Sequence, residues 1–246
     1  MFTCKSVGNL EIKSEEEQRM VYDVLSGLDY KGVLVDHCEK DSLLKPQLWN
    51  PSRPISHCYA RPEESESVSV ADQIQFACES GFKGRLHIAH VSVPKTVEIV
   101  DKARSKLRVS CGVTPHHRFL YSEMMNEPDG IIYKVNPPLR SRQNAEKMFQ
   151  YLKEGKIDLL ESDHAPHTLK DKTEKYMSGF PGLPFMPHFA RYMKKSGFSD
   201  EQIFKLTHEN PCRIFGIDIP SMGVSPDYNL HTEYEVDVYK KFRDSI

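Results

Sequence analysis

The sequence predicts an α/β fold of parallel strands with helices outside them, and three observations carry that prediction. Four short apolar runs, too short for helices and several rich in β-branched residues, end in polar residues: 32–37, 85–90, 107–113 and 157–163. Amphipathic helical patterns lie between them. Strands that alternate with helices pair in parallel, because each connection must cross over the sheet.

The elements follow in chain order. Ser14 with Glu17 forms a capping box, followed by Met20, Val21, Val24, Leu25 and Leu28 on one helical face. The run 32–37 is the first strand. The loop-like stretch 45–66 contains four prolines, and a helix over 67–78 carries Val68, Ala71, Ile74 and Cys78 at helical spacing. After the strand 85–90, Pro94 suits a first helical position before Val97, Val100 and Ala103. The strand 107–113 leads towards a helix over 141–155 with Ala145, Met148, Phe149 and Leu152. The last strand, 157–163, precedes a second loop-like stretch, 169–187, and Ser199 with Gln202 forms another capping box. Residues 1–220 thus read as one (β/α) unit, and 221–246 as a polar, poorly structured tail.

Composition narrows the function classes. Apolar residues make up 39% of the 246 and charged residues 28%, enough apolar material for a packed core. With 33 basic against 35 acidic residues, a broad nucleic-acid surface or a polybasic membrane anchor is not expected. No run of 18 apolar residues occurs, and the start lacks the pattern of a signal peptide. Six scattered cysteines without a C-x-x-C pair read as reduced, mostly packed thiols, so a cytoplasmic protein is expected.

Three of the four strands end in a residue able to bind a metal: His37, His90 and Asp163. In a parallel (β/α) barrel the C-terminal strand ends share one face, where active sites lie. Neutral imidazole and carboxylate suit Zn2+. In Ser162-Asp163-His164-Ala165-Pro166-His167, Asp163 is placed to touch a metal and to exchange a proton with its bound water. His167, one short loop on, is placed to meet a substrate anion, whereas His164 reads as a supporting or capping group. Asn136 is followed by two prolines, which fix an extended backbone and hold its amide towards a ligand. The pair His116-His117 reads equally as packing at the mouth or as part of the site.

At these residues the sequence resembles the dihydroorotase family of metal-dependent cyclic amidohydrolases. The matching pieces are Asp36-His37-Cys38-Glu39, Ser52-Arg53-Pro54, Arg61-Pro62 with Glu66, and His87-Ile88-Ala89-His90-Val91-Ser92. Val113-Thr114-Pro115-His116-His117, Lys134-Val135-Asn136-Pro137-Pro138-Leu139-Arg140, Ser162 to His167, Phe180-Pro181-Gly182 and Glu209 to Gly216 complete them, in family order. The resemblance implies reversible cyclisation of N-carbamoyl-L-aspartate to dihydroorotate in pyrimidine biosynthesis, with one or two Zn2+ ions. It implies His37, His90 and Asp163 as metal ligands and Asp163 as the catalytic acid and base. Asn136, His167 and the backbone at Pro181 and Gly182 become substrate contacts.

The departure from the family is equally informative. The family opens its site with a His-x-His pair on the first barrel strand, and none occurs in these 246 residues. The fold expected is therefore a partial TIM-type (β/α) barrel, roughly the C-terminal half. As an isolated chain it is expected to be incomplete, with a second copy or a separate partner completing the barrel. Two alternatives stand beside this: a non-catalytic remnant or interaction protein, and an allantoinase- or hydantoinase-type hydrolase.

Overall fold

The computed structural model describes residues 1–5, 10–220 and 234–243. Its centre is a parallel sheet of four strands in the order β1 (Val33–Asp36), β2 (Arg85–Ile88), β3 (Val109–Val113) and β4 (Leu159–Leu160). Val35 pairs with His87, His87 with Ser110, and Val113 with Leu160. The strand order follows the chain order, so each connection crosses to the neighbouring position. All four C-terminal strand ends therefore share one face of the sheet.

Four helices form where the sequence starts them, while that read over 67–78 begins earlier, at Glu63. Glu15–Gly27 begins at Ser14, whose Oγ accepts from Glu17 N–H at 3.2 Å and donates to the Glu17 carboxylate at 2.7 Å. Pro94–Ala103 opens on its proline, and Arg142–Lys153 is capped by Ser141. The reciprocal capping box at Ser199 and Gln202 is complete. Val97, Val100, Met148 and Leu152 pack with Leu86, Ile88, Cys111 and Val113 of the strands into one core. Both loop-like stretches contain short helices, at Ser56–Ala60 and Leu169–Thr173.

Two helix faces differ from the pattern reading. On Glu15–Gly27, Tyr22 and Gln18 point inward, while Met20, Val24 and Leu28 (just past its end) are more than half exposed. On Glu63–Glu79, Ala71 and Cys78 face solvent, while Glu66, Ser69, Val70, Gln73, Phe76 and Ala77 are buried. That inner face is polar because its groups are bonded. Glu66 accepts the backbone N–H of Ser92 and Val93, and Gln73 donates to Gln18. Apolar periodicity cannot find a buried face built from hydrogen bonds.

The segment read as a tail lies partly outside the described residues, at 221–233 and 244–246. Within 234–243, Val236, Val238 and Tyr239 are buried, and the Tyr239 ring stacks on Phe185 at 4.0 Å.

Candidate active site

The residues that follow the strands build the mouth of the sheet. His37 comes directly after β1. Its backbone is paired with the first residues of the chain, His37 N–H donating to Met1 O and Thr3 N–H to His37 O. His90 and Asp163 follow β2 and β4 at left-handed φ values of 39° and 42°. Such turns are costly for residues other than glycine and concentrate at functional sites.

His37 Nδ1 and His90 Nε2 lie 3.0 Å apart, both side chains buried. Two nitrogens bound to one tetrahedral Zn2+ at about 2.0–2.1 Å would sit roughly 3.3 Å apart, so this pair fits an ion with little movement. The other nitrogen of His37, Nε2, meets Glu39 Oε2 at 3.2 Å. A carboxylate on the far nitrogen is the usual orienting partner of a metal-bound histidine. Glu39 is fully buried and held in turn by Arg61, whose Nη2 donates to Oε2 at 2.5 Å and whose Nε donates at 3.0 Å. Burial raises the Glu39 carboxyl, but the Arg61 charge and the His37 contact outweigh it and hold it well below the usual range. Cys4 Sγ approaches the same cluster. Burial pushes this thiol up to about 12, and the Arg61 guanidinium beside it pulls the other way.

His90 and Asp163 line one cavity of about 510 Å³ with Glu161 and Phe215. Glu161, just after β4, accepts from the His90 backbone N–H and meets His87 Nε2 at 2.7 Å. It thereby fixes the turn that presents His90. The run read as the last strand, 157–163, covers Glu161 too, but the strand ends at Leu160, so only its tertiary contacts reveal it.

The segments carrying Asn136, His167, Pro181 and Gly182 are tied together. The backbone at 134 is the knot: Lys134 O accepts from Gly179 N–H at 2.9 Å and from the Lys172 ammonium at 2.7 Å. Lys172 also donates to Gly179 O at 2.8 Å, and its side chain is fully buried. Burial, then the Lys134 charge, pulls its amine down to about 7. His167 Nε2 lies 3.0 Å from Ser178 O. Gly182 lies so close to the strand end that a Cβ there would stand 1.8 Å from Ser162 O, which is why only glycine fits. Asn136 faces a different cavity, of about 500 Å³, with Trp49, His57, Arg61 and Lys134. There His57 Nε2 lies 3.0 Å from Asn136 Oδ1 and 2.9 Å from Val135 O. His164 accepts from Leu183 N–H and meets the Tyr234 hydroxyl at 3.1 Å. His116 and His117 are buried behind the mouth, ring centroids 4.4 Å apart.

No protein-family model matches the chain. A dihydroorotase of Methanosphaera stadtmanae is 35% identical over 213 residues, covering 82% of this chain and 47% of the relative. That of Caldanaerobacter subterraneus is 33% identical over 226 residues, covering 87% and 52%. The chain is a dihydroorotase homologue. It spans about half the length of the curated relatives it matches. Among structures, the L-hydantoinase (dihydropyrimidinase) from Arthrobacter aurescens superposes with a TM-score of 0.75 at 23% identity, covering 87% of this chain and 50% of that one. The D-hydantoinase (dihydropyrimidinase) from Thermus sp. gives 0.75 at 20%, covering 87% and 49%. This likeness shows the fold: the four strands and their helices superpose on about half of each of those longer chains.

The buried histidines of this dihydroorotase homologue set its response to acid. Burial, with the charges of Lys134 and Arg61, pulls His57 down to about 3. Burial, then His90 and Arg140, pulls His117 to about 3, and burial, then His117 and His90, drives His116 well below the ordinary value. The unfolded chain binds these protons below about pH 6.5 while the folded chain does not. Stability is therefore complete above that pH and falls as pH drops from about 6.5 towards 3. The expected slope is about 1.4 kcal/mol per pH unit for each such histidine. Urea midpoints across this range will show it, and His57→Gln will make the slope shallower by one proton.

Proposed function

We propose that the chain supplies the second half of the active site of a cyclic-amide hydrolase, one that interconverts N-carbamoyl-L-aspartate and dihydroorotate. The observation that carries the reading is the His37–His90 nitrogen pair at 3.0 Å with Glu39 on the far nitrogen of His37. It stands in a chain whose curated relatives bear the name dihydroorotase. By the resemblance His37, His90 and Asp163 would hold a Zn2+ or similar divalent ion, one or two in number; the side-chain atoms that group within 4.8 Å among the described residues are those of Cys4, His37 and Glu39. When bound, such an ion supplies Lewis acidity and a water acidified towards neutrality.

The chain's own residues do the remaining work. In ring closure the Asp163 carboxylate takes the proton from the attacking carbamoyl nitrogen and returns it to the departing oxygen; in ring opening it runs the other way. By the resemblance Asn136, which faces a different cavity from that of His90 and Asp163, would pair with the amide edge of the ring, and His167 would meet the substrate carboxylate. Pro181 and Gly182 close the ring pocket with backbone groups, Lys172 holding their loop against that of Asn136.

The partner in this reading is a set of further strand–helix units that closes the barrel. The exposed apolar side chains support it. Met20 and Val24 stand exposed on the first helix, Leu28 just past its end and Val35 on β1, with Phe215 beside β4 and Phe204, Ile217 and Ile219 lining a separate hollow with His208 and Gly216. Open sheet edges and apolar faces of this kind favour association. The same faces favour the second reading, a non-catalytic remnant that associates without turnover.

The experiment measures zinc content and carbamoyl-aspartate cyclisation, with and without the N-terminal half of a dihydroorotase relative supplied in trans. Stoichiometric zinc, and turnover on complementation, are expected. A complemented complex that forms but neither holds zinc nor turns over would leave the remnant reading standing.

A further inference from the structure

Five basic side chains converge on one open cleft at the end of the sheet opposite the mouth. Arg85 is the first residue of β2, Arg108 directly precedes β3, and Asp158 directly precedes β4. They mark the N-terminal strand ends, whereas His37, His90 and Asp163 lie beyond the C-terminal ends. Arg104 and Lys106 come from the turn after Pro94–Ala103, and Arg213 from the helix Asn210–Phe215. With Leu107 and Val109 they line a cleft of about 480 Å³.

The charge in this cleft is not balanced locally. Asp158 is the one carboxylate among its lining residues. Its Oδ2 is already committed, accepting from Arg104 Nη2 at 2.8 Å and from Cys111 N–H at 2.9 Å. Among the described residues, no carboxylate lies within 4.0 Å of the charged nitrogens of Arg85, Lys106, Arg108 or Arg213. Arg213 donates to the Asn210 side chain instead, and Arg104 Nε, without a hydrogen bond, lies 3.9 Å from the Asp101 carboxylate. Burial and the charges of Arg213 and Arg108 hold Arg85 below the usual guanidinium value, as mutual repulsion requires. The whole chain carries a formal net charge of −2, so this concentration runs against its average.

We propose that this cleft binds a small ligand carrying two linked phosphoryl groups. Each phosphoryl group brings about −1.5 to −2 near neutral pH, so two of them offset five cations less the carboxylates of Asp158 and Asp101, both paired with Arg104. Guanidinium forks match phosphate oxygens in paired hydrogen bonds. The volume lies within the range of small-molecule sites, about 300–1,000 Å³. The shared chemistry is the diphosphate, free or as part of a nucleoside diphosphate.

Calorimetric titration of the full chain with inorganic pyrophosphate and with ADP, at about 0.15 M salt, tests this. Saturable binding with one ligand per chain, not displaced by sulfate at matched ionic strength, is expected. Equal affinities assign the diphosphate alone; tighter ADP adds the nucleoside. Arg108→Glu and Arg213→Glu, both at exposed positions, should each weaken binding at least tenfold with the melting temperature unchanged, while Lys170→Glu, remote and equal in charge change, should not. Absence of saturable binding by either probe overturns the proposal. So does equal weakening by Lys170→Glu, or binding of duplex DNA without binding of the diphosphate.

Discussion

Asp163→Asn will reduce zinc-supported cyclisation of carbamoyl-aspartate by the complemented chain at least about 10³-fold, while leaving the fold intact. The size follows from two losses at one atom group. A positioned acid and base contributes about 10²–10⁴-fold, and the amide cannot exchange the proton. The same change removes the anionic member of the proposed ligand set. The fold survives because of the backbone at this position. Asp163 sits at φ 42°, a conformation that asparagine tolerates nearly as well as aspartate. Asp163→Ala would add backbone strain and confuse the result. Melting temperature, zinc content and turnover measured together separate the cases. Turnover within tenfold of the parent would remove Asp163 from the acid and base role, whatever the zinc content.

That backbone detail marks the boundary of what the sequence discloses. The four strands are readable because short apolar runs ending in polar residues have few other uses. The helix starts are readable because Ser14, Pro94, Ser141 and Ser199 satisfy or remove orphan N–H groups in ways local chemistry dictates. The left-handed turns at His90 and Asp163 are not readable, since neither residue is a glycine, and at His90 the turn is held by Glu161, which accepts its backbone N–H. The buried charges Glu39, Arg61 and Lys172 are hidden for a related reason: pattern reading sends charges to the surface, and only tertiary contacts show them paired. Met20, Val24 and Leu28 form a good apolar stripe, yet the stripe faces outward. The periodicity is right about amphipathicity, and the face has no cover within the described residues.

Glu39→Gln is expected to cost about 3–5 kcal/mol of folding stability and to weaken zinc binding about 10–100-fold. The two effects have separate causes. Glutamine keeps the shape of the side chain but leaves the Arg61 guanidinium largely buried against a neutral group, where the paired arrangement had Nη2 at 2.5 Å from a carboxylate oxygen. An uncompensated buried charge accounts for the stability loss, read as a lower urea midpoint. The zinc effect comes from His37. With Glu39 ionised, Nε2–H donates to it and Nδ1 carries the free lone pair beside His90 Nε2. With glutamine the tautomer is no longer fixed, and part of the population presents a protonated Nδ1 where the ion should sit. The acid dependence has a definite sign. The Glu39 carboxyl is depressed in the folded chain, so its contribution is complete above the ordinary glutamate value and is lost as pH falls through the lower folded value. Glu39→Gln should remove that part of the acid sensitivity. The double variant Glu39→Gln with Arg61→Met separates the two roles, because it removes the stranded charge without restoring the carboxylate. It should regain stability relative to Glu39→Gln alone and stay weak for zinc. Recovery of zinc affinity in the double variant would show that Glu39 serves only to neutralise Arg61, and that His37 takes its orientation from elsewhere.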